Sequence, residues 1–519
     1  MDSEEIFKFC LENGLLVDRE VLSLFSEAGD IESAKLIIKK IKNHTQQKII
    51  TKSIFSENKD RVNQFFEELP EENKKRFETL KIKLGLNIEI SREVSTDVVK
   101  KDAKENQDGI VRVINMNPSF SKKIEVSDFV KYFRGRLNEM KNYLQDNAQL
   151  TDLTSINKIS GERQSFSIIG IVYEKRVTKN KNIILDVEDL TGRVKVLINQ
   201  NRAELYKKAE DITLDAVLGF RGSGNREIIF ANDIIFPDST IQERKKSLVE
   251  EYVLFTGDLH IGSKLFMKNN FLKFVDYING EIPNTPEVSK IKYLFIIGDL
   301  IAGIGIYPGQ EDDLEFSDIE GQFAEAARLL DKIRKDIKII ISPGNHDALR
   351  IMEPQPLFDE KYAWPLYELE NVILTGNPVL VNLGARKNFS GFNVLTYHGY
   401  SYHYYANTVP KLIVEKAVHT PEKIMAYLLK YRHLAPTHSS TLYFPSEEDP
   451  FIIRTIPDIF VSGHTHKSAV TYYNNILIIS SSSWESLTPF QEKMGNQPDF
   501  CKVPMFNLKT RGIKILDFE

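Results

Sequence analysis

The chain has 519 residues, enough for about three domains at roughly 150 residues each. Hydrophobic residues make up 42% and charged residues 27%, which suits soluble folded domains and excludes a disordered polymer. The formal net charge of −5 excludes a uniformly basic nucleic-acid binder but leaves room for a local basic groove. Cys10 and Cys501 lie at opposite ends, which excludes a disulfide framework and a four-cysteine zinc site and points to a reducing compartment. The opening MDSEEIFKFC is acidic and lacks a secretory pattern, and no apolar run approaches the roughly 18 residues of a membrane span. The expectation is a cytoplasmic multidomain protein.

Residues 1–80 read as a module of short helices. Asp2 or Ser3 can cap the first, with Glu5 as a capping-box partner, Ile6, Phe9 and Cys10 on its apolar face, and Asn13-Gly14 as its stop. A second helix fits Asp18 to Ala28, and a third starts near Asp30. The lysines here (Lys35, Lys39, Lys40, Lys42, Lys48, Lys52) form either a solvated face or a contact to nucleic acid. Residues 81–125 read as a flexible linker, because SREVSTDVVKKDAKENQDG is charged and almost free of large apolar residues.

The third segment is 126–245. The spacing of Phe129, Tyr132, Phe133, Leu137 and Met140 predicts a helix from Asp128 to Leu144. Five short β-type runs follow, at Ser165 to Tyr173, Asn182 to Glu188, Arg193 to Ile198, Ala216 to Arg221 and Glu227 to Phe236, with Thr191-Gly192 as a hairpin signal. Five such strands suggest an OB-fold β-barrel. Such barrels bind single strands or serve as protein–protein modules, and the few aromatics on these strands leave both readings open.

Residues 246–519 switch to an α/β pattern. Apolar strands are expected at Tyr252–Thr256, Tyr293–Ile297, Lys338–Ser342, Asn393–Tyr397 and Ile459–Ser462. Amphipathic stripes (Phe271, Phe274, Val275, Ile278; Ile319, Phe323, Ala326, Ala327, Leu330, Ile333) lie between the early ones. Each strand ends in a short polar motif: Gly-Asp258-Leu-His260, Gly-Asp299, Gly-Asn345-His346-Asp347, His398-Gly, and Gly-His464-Thr-His466. Ligands of α/β sheets bind outside the carboxyl ends of strands, so the motifs are expected at one edge of one sheet. They hold five of the chain's ten histidines. Carboxylate and imidazole donors without thiolates suit Mn²⁺, Fe²⁺ or Zn²⁺. A central Asp299 can bridge two ions, and a glycine in each motif lets the backbone approach closely. His403, His419, His433 and His438 read as ordinary core or surface residues.

The order D-x-H, GD, GNHD, H, GHxH resembles that of the calcineurin-like metallophosphoesterases. The resemblance implies a β-sandwich flanked by helices. It implies one divalent ion on Asp258, His260, Asp299 and His466, and a second on Asp299, Asn345, His398 and His464. His346 would be the non-ligand histidine that protonates the leaving oxygen or steadies the phosphorane charge. Longer stretches narrow it further. GDLIAGIGIYPGQEDDL, PGNHDALRIMEPQP, YRHLAPT and the run from PDIFVSGHTH through SSSSWESLTPFQ are similar to the small subunits of archaeal family D DNA polymerases. That family implies a 3′→5′ proofreading exonuclease that depends on Mn²⁺ or Mg²⁺. It also implies a DNA substrate with single-stranded or frayed 3′ ends, a large catalytic polymerase subunit as partner, and a sliding clamp as a further one. The chain departs from the family at Ala302, where an acidic residue is usual; that position is not a metal ligand.

Three rival readings differ in checkable ways. A recombination-repair nuclease of the same superfamily opens with its phosphoesterase, whereas here that segment comes last. The non-catalytic accessory scaffolds of eukaryotic replicative polymerases share this plan but have lost metal ligands that this chain keeps. A small-molecule phosphodiesterase needs neither the barrel nor the helical module.

Overall fold

The computed structural model describes residues 2–18, scattered positions between 21 and 50, residues 110–114, and 123–519 apart from 494 and 496. The chain divides into two compact units, Met1–Asn106 and Gln107–Glu519.

In the first unit a helix spans Asp2–Glu12, with Ile6 and Cys10 fully buried. It stops at Asn13-Gly14, where Gly14 adopts a φ of 69°. Leu16–Val17 (β1) pairs in parallel with Ile49–Ile50 (β2), which the all-helical reading did not anticipate. Two-residue strands carry no periodicity to read. Lys35 pairs with Glu5 at 2.9 Å. Most of the second and third expected helices, and Lys40, Lys48 and Lys52, lie outside the described residues.

The second unit begins with a correction. Ile110–Val113, inside the expected linker, forms β3 and pairs with a sheet edge. Its alternating Val111 and Val113 pack against the sandwich core, which gives this polar segment one apolar face. The expected helix spans Val126–Gln145, closed at its start by a Glu125/Asp128 capping box.

The five β-type runs become Gln164–Val177 (β4), Ile183–Glu188 (β5), Arg193–Ile198 (β6), Val217–Gly224 (β7) and Ile228–Ile235 (β8). They close into a barrel in the order β4-β5-β6-β8-β7, with β6 and β8 parallel. Closure leaves no unpaired edge.

The remaining strands build two six-stranded sheets. The first contains Tyr252–Thr256 (β9), Ile291–Ile297 (β10), Lys338–Ser342 (β11), Val372–Leu374 (β12), Lys502–Asn507 (β18) and Ile513–Asp517 (β19), in the order β12-β11-β10-β9-β18-β19. The second contains β3 with Val379–Ala385 (β13), Phe392–Thr396 (β14), Ile459–Ser462 (β15), Ala469–Tyr473 (β16) and Ile476–Ser480 (β17), in the order β16-β17-β15-β14-β13-β3. β9 through β12 are mutually parallel, as are β14, β15 and β17.

Side chains alternate across each strand, and both faces of the inner strands β9, β10, β14, β15 and β17 are almost wholly buried, so these read as continuous apolar runs. Val253, Phe255, Phe295 and Ile297 point into the core shared with the second sheet. Leu254, Leu294 and Ile296 point the other way, under the helices Lys268–Asn279 and Ile319–Leu330. Phe392 and Phe506, one from each sheet, meet edge-on at 6.1 Å.

The barrel is not a loosely tethered module. Its interior residues share one core with the helix Pro421–Tyr431 and the outer face of the second sheet. A buried ion pair clamps the junction: Arg136 Nε lies 2.7 Å from Asp449 Oδ2, and both side chains are almost fully buried. The guanidinium also donates to the carbonyl of Pro436 and to Tyr132 Oη, and His433 Nε2 reaches the same Asp449 oxygen at 2.8 Å. The YRHLAPT stretch is therefore a structural joint.

Candidate metal centre

The five motifs sit at the carboxyl ends of strands, but not of one sheet. β9, β10 and β11 belong to the first sheet, and β14 and β15 to the second. The hairpin of β13 and β14 turns the chain into the second sheet, so the strand ends of both layers open on one side of the sandwich. A sequence pattern records strand ends, not layers.

All seven expected donors, and His346, come together there. Asp258, His260 and His466 offer donor atoms within 4.8 Å of one another; so do Asp299, His398 and His464, and so do His260, Asp299 and His346. Asp299 joins the groups: its Oδ2 lies 3.2 Å from His398 Nε2 and 3.9 Å from the Nε2 atoms of both His260 and His346. Asn345 Oδ1 is 3.1 Å from His398 Nε2. His260 Nε2 and His466 Nε2 face each other at 3.1 Å.

The backbone is held in a costly form to achieve this. Asp258, His260, Asp299, His464 and His466 all adopt positive φ, between 49° and 67°. Left-handed non-glycine residues are uncommon, and their clustering at one spot marks a functional site. Two glycines are required by contact. A Cβ on Gly298, itself at φ 73°, would stand 2.1 Å from His398 Nδ1. A Cβ on Gly344 would stand 2.2 Å from Asp299 Oδ1.

A polar scaffold fixes the donors. His464 N donates to Asp258, and His346 N donates to Asp299 Oδ1 at 2.8 Å. Gln491 Nε2 lies 2.9 Å from His466 Nδ1. Ser483 Oγ and Trp484 N both donate to the carbonyl of Asp258, which gives the SSSSW stretch its purpose. Three supporting residues were not assigned from sequence. Asp347 accepts from Ile301 N at 3.0 Å and Gly344 N at 2.7 Å, tying two donor loops together. Buried Glu353 accepts from Tyr397, Thr441 and Asn377, and Asn377 in turn accepts from His398 N. Only the long polar motifs around them hinted at these roles. Burial pushes the Asp347 and Glu353 carboxyls up to about 7, with the Asp299 charge adding to the effect at Asp347.

The remaining histidines divide. His433 is a satisfied core residue, as expected: Ala435 N donates to its Nδ1, so its Nε2 carries the proton towards Asp449. His438 hydrogen-bonds with Tyr443 Oη. His403, by contrast, stands beside the site, with its ring 5.4 Å from that of His464, and it shares with His419, His464 and Lys467 the lining of the cavity there. Its place on the helix Tyr402–Thr408, after the His398 motif, gave no donor spacing to read.

The electrostatics favour cations. Burial lowers the pKa of His260 and His464 well below the usual value and that of His466 to about 4, so these rings present lone pairs. Burial works against an ionised Asp299, but His398 and His346 outweigh it and keep that carboxylate charged. Burial would also lower His398, yet Asp299 and Asp258 raise it to about 10. Two imidazole nitrogens facing each other, beside carboxylates and an amide oxygen and without thiolates, form a donor set that fits divalent cations.

Comparisons with known proteins agree in direction. The family model for the B-type subunit of DNA polymerases alpha and epsilon matches residues 253–471. Curated relatives are named DNA polymerase II small subunit. The one from Methanothermobacter thermautotrophicus is 38% identical over 400 residues, covering 76% of this chain and 80% of the relative. The one from Pyrococcus furiosus is 36% identical over 405 residues, covering 76% of this chain but 64% of the relative, just under two thirds of its length. Among solved structures, a novel archaeal phosphodiesterase is 11% identical with a TM-score of 0.25, covering 51% of this chain and 98% of its own. A zinc complex of Vps29 from Entamoeba histolytica is 12% identical with a TM-score of 0.22, covering 52% of this chain and 99% of its own. Scores this low add nothing to the topology described above.

Proposed function

The chain belongs to the family of DNA polymerase II small subunits, and from that premise we propose that it is the 3′→5′ proofreading exonuclease of a replicative archaeal polymerase and a scaffold for the large catalytic subunit. The observation that carries the reading is Asp299, whose carboxylate lies between two donor groups. The sandwich is read as a calcineurin-like phosphoesterase and the barrel as an OB fold.

Asp258, His260, Asp299 and His466 would hold one divalent ion, and Asp299, Asn345, His398 and His464 the other. Mn²⁺ is the first choice; Mg²⁺, Fe²⁺ and Zn²⁺ suit the same donors. A bound pair supplies an activated water and neutralises charge on the phosphodiester. The chain's own residues do the rest. The carbonyl of Ala302, 2.8 Å from His346 Nδ1, accepts that nitrogen's proton and fixes the ring. His346 Nε2 is then turned to the site; in the doubly protonated ring its N–H is placed to give that proton to the leaving 3′ oxygen, which leaves the neutral ring with its proton on Nδ1. A mispaired terminus unpairs more cheaply than a matched one, so selectivity can come from the DNA itself. The acidic overall balance leaves much of the grip on the DNA backbone to the partner.

The test is a primer labelled at its 5′ end, incubated with Mn²⁺ and the chain alone or with its co-expressed large subunit. Expected are slow shortening from the 3′ end, faster at a mismatch, enhancement by the large subunit, and a 1:1 complex on gel filtration. First release of the labelled 5′ nucleotide overturns the polarity. Failure of the metal-loaded complex to cut any diester leaves the accessory-scaffold reading in its place.

A further inference from the structure

The loop 303–309, Gly-Ile-Gly-Ile-Tyr-Pro-Gly, leaves the metal centre with two branched aliphatics in solvent: Ile304 is 43% exposed and Ile306 37%. Single exposed apolar residues are ordinary. This pair is distinguished by how firmly the loop is fixed. Gln322, fully buried, accepts from Gly303 N at 2.9 Å and donates to Gly303 O at 3.2 Å. Gln310, also buried, accepts from Ile306 N at 2.9 Å and donates to Ala302 O at 3.0 Å. Tyr307 Oη donates to Asp313 Oδ2 at 2.8 Å. Two buried amides thus satisfy the backbone of a loop whose tip is apolar and partly exposed.

The loop and His346 form one body. The Ala302 carbonyl that Gln310 holds is the one that receives the His346 ring proton. A Cβ on Gly303 would stand 2.3 Å from the His346 carbonyl and 3.2 Å from Ile306 Cδ1, so the backbone that carries the proposed acid and the isoleucine side chain both close on this glycine.

We propose that Ile304 and Ile306 are a wedge for the 3′-terminal nucleobase, which leaves its stack and lies on them when its phosphate enters the metal centre. This rests on the phosphodiesterase reading above. Aliphatic side chains wedged against a base step unstack it, and an apolar contact to a base face tolerates every sequence, as a proofreader requires. A protein partner fits less well. A stable interface buries roughly 800 Å² per side, far more than two isoleucines on a narrow loop present.

The experiment uses the full chain with Ile304→Ser/Ile306→Ser, and Ile304→Val/Ile306→Val as the conservative control. Substrates are oligonucleotides with an ordinary 3′-terminal nucleotide or an abasic one. The serine pair should lower kcat/KM about tenfold on ordinary ends, chiefly through KM, and leave abasic ends unchanged, while the valine pair keeps most of the activity. A terminal 2-aminopurine, titrated in chelator so that nothing is cut, should brighten on binding to the native chain and stay dim with the serine pair. Equal losses on both substrates, or equal brightening with both proteins, overturns the wedge. If the native chain, metal-loaded and with its co-expressed large subunit, cuts no end at all, the phosphodiesterase reading fails, and the fluorescence still decides the wedge.

Discussion

His260 Nε2 and His466 Nε2 face each other at 3.1 Å. Both rings are kept neutral by burial, so the two nitrogens share one proton at most, and a cation between them can take that proton's place. Asp299 extends the same logic to the second donor group. Asp299→Ala should therefore lose both ions after Mn²⁺ loading, whereas His466→Ala should lose one at most. Elemental analysis after gel filtration measures this, and two ions retained in Asp299→Ala would rule out the bridge.

His346 separates binding from chemistry. Although it lies close enough to His260 and Asp299 to be a donor, its Nδ1 is committed to Ala302 and its side chain is 19% exposed. His346→Ala should keep its metal content and slow phosphodiester cleavage by roughly 10²–10⁴. Loss of an ion in this variant would reassign the residue as a ligand.

Arg136 and Asp449 are a buried pair at the joint between the barrel and the sandwich. Burial works against the Asp449 charge, but His433 and Arg136 outweigh it and hold its pKa well below the usual range. Arg136→Met leaves that charge poorly compensated and should cost about 3–5 kcal/mol. Urea unfolding followed by circular dichroism measures it; a loss under about 1 kcal/mol would show that the pair is dispensable.

The same joint makes stability depend on pH. Burial lowers the His433 pKa from 6.5 to about 4. The unfolded chain therefore takes up this proton first, and the stability is present above about pH 6.5 and lost as pH falls towards 4, by about 3 kcal/mol in all. The neutral site histidines act in the same direction, so the readout is a difference. His433→Gln should flatten the fall in urea midpoint between pH 7 and pH 5 relative to the native chain. Parallel curves for the two proteins would contradict it.

The chain's local chemistry was legible in its residues. The barrel strands follow the apolar runs, with ends shifted by a few residues, because alternation and turn residues act over a few positions. All seven expected donors converge, because each sits in a short glycine-containing motif where a strand ends, a local feature. What only the tertiary structure decided is relational. Strand ends do not say which layer they belong to, so the site draws on two sheets where one was expected. β3 lies in a segment too polar to read as a strand, and its place depends on the free edge of β13, more than 260 positions away in sequence. Asp347, Glu353, Gln310 and Gln322 carry no motif of their own. They matter because folding buries their polar groups, and a buried amide or carboxylate must find partners whose positions no stretch of sequence states.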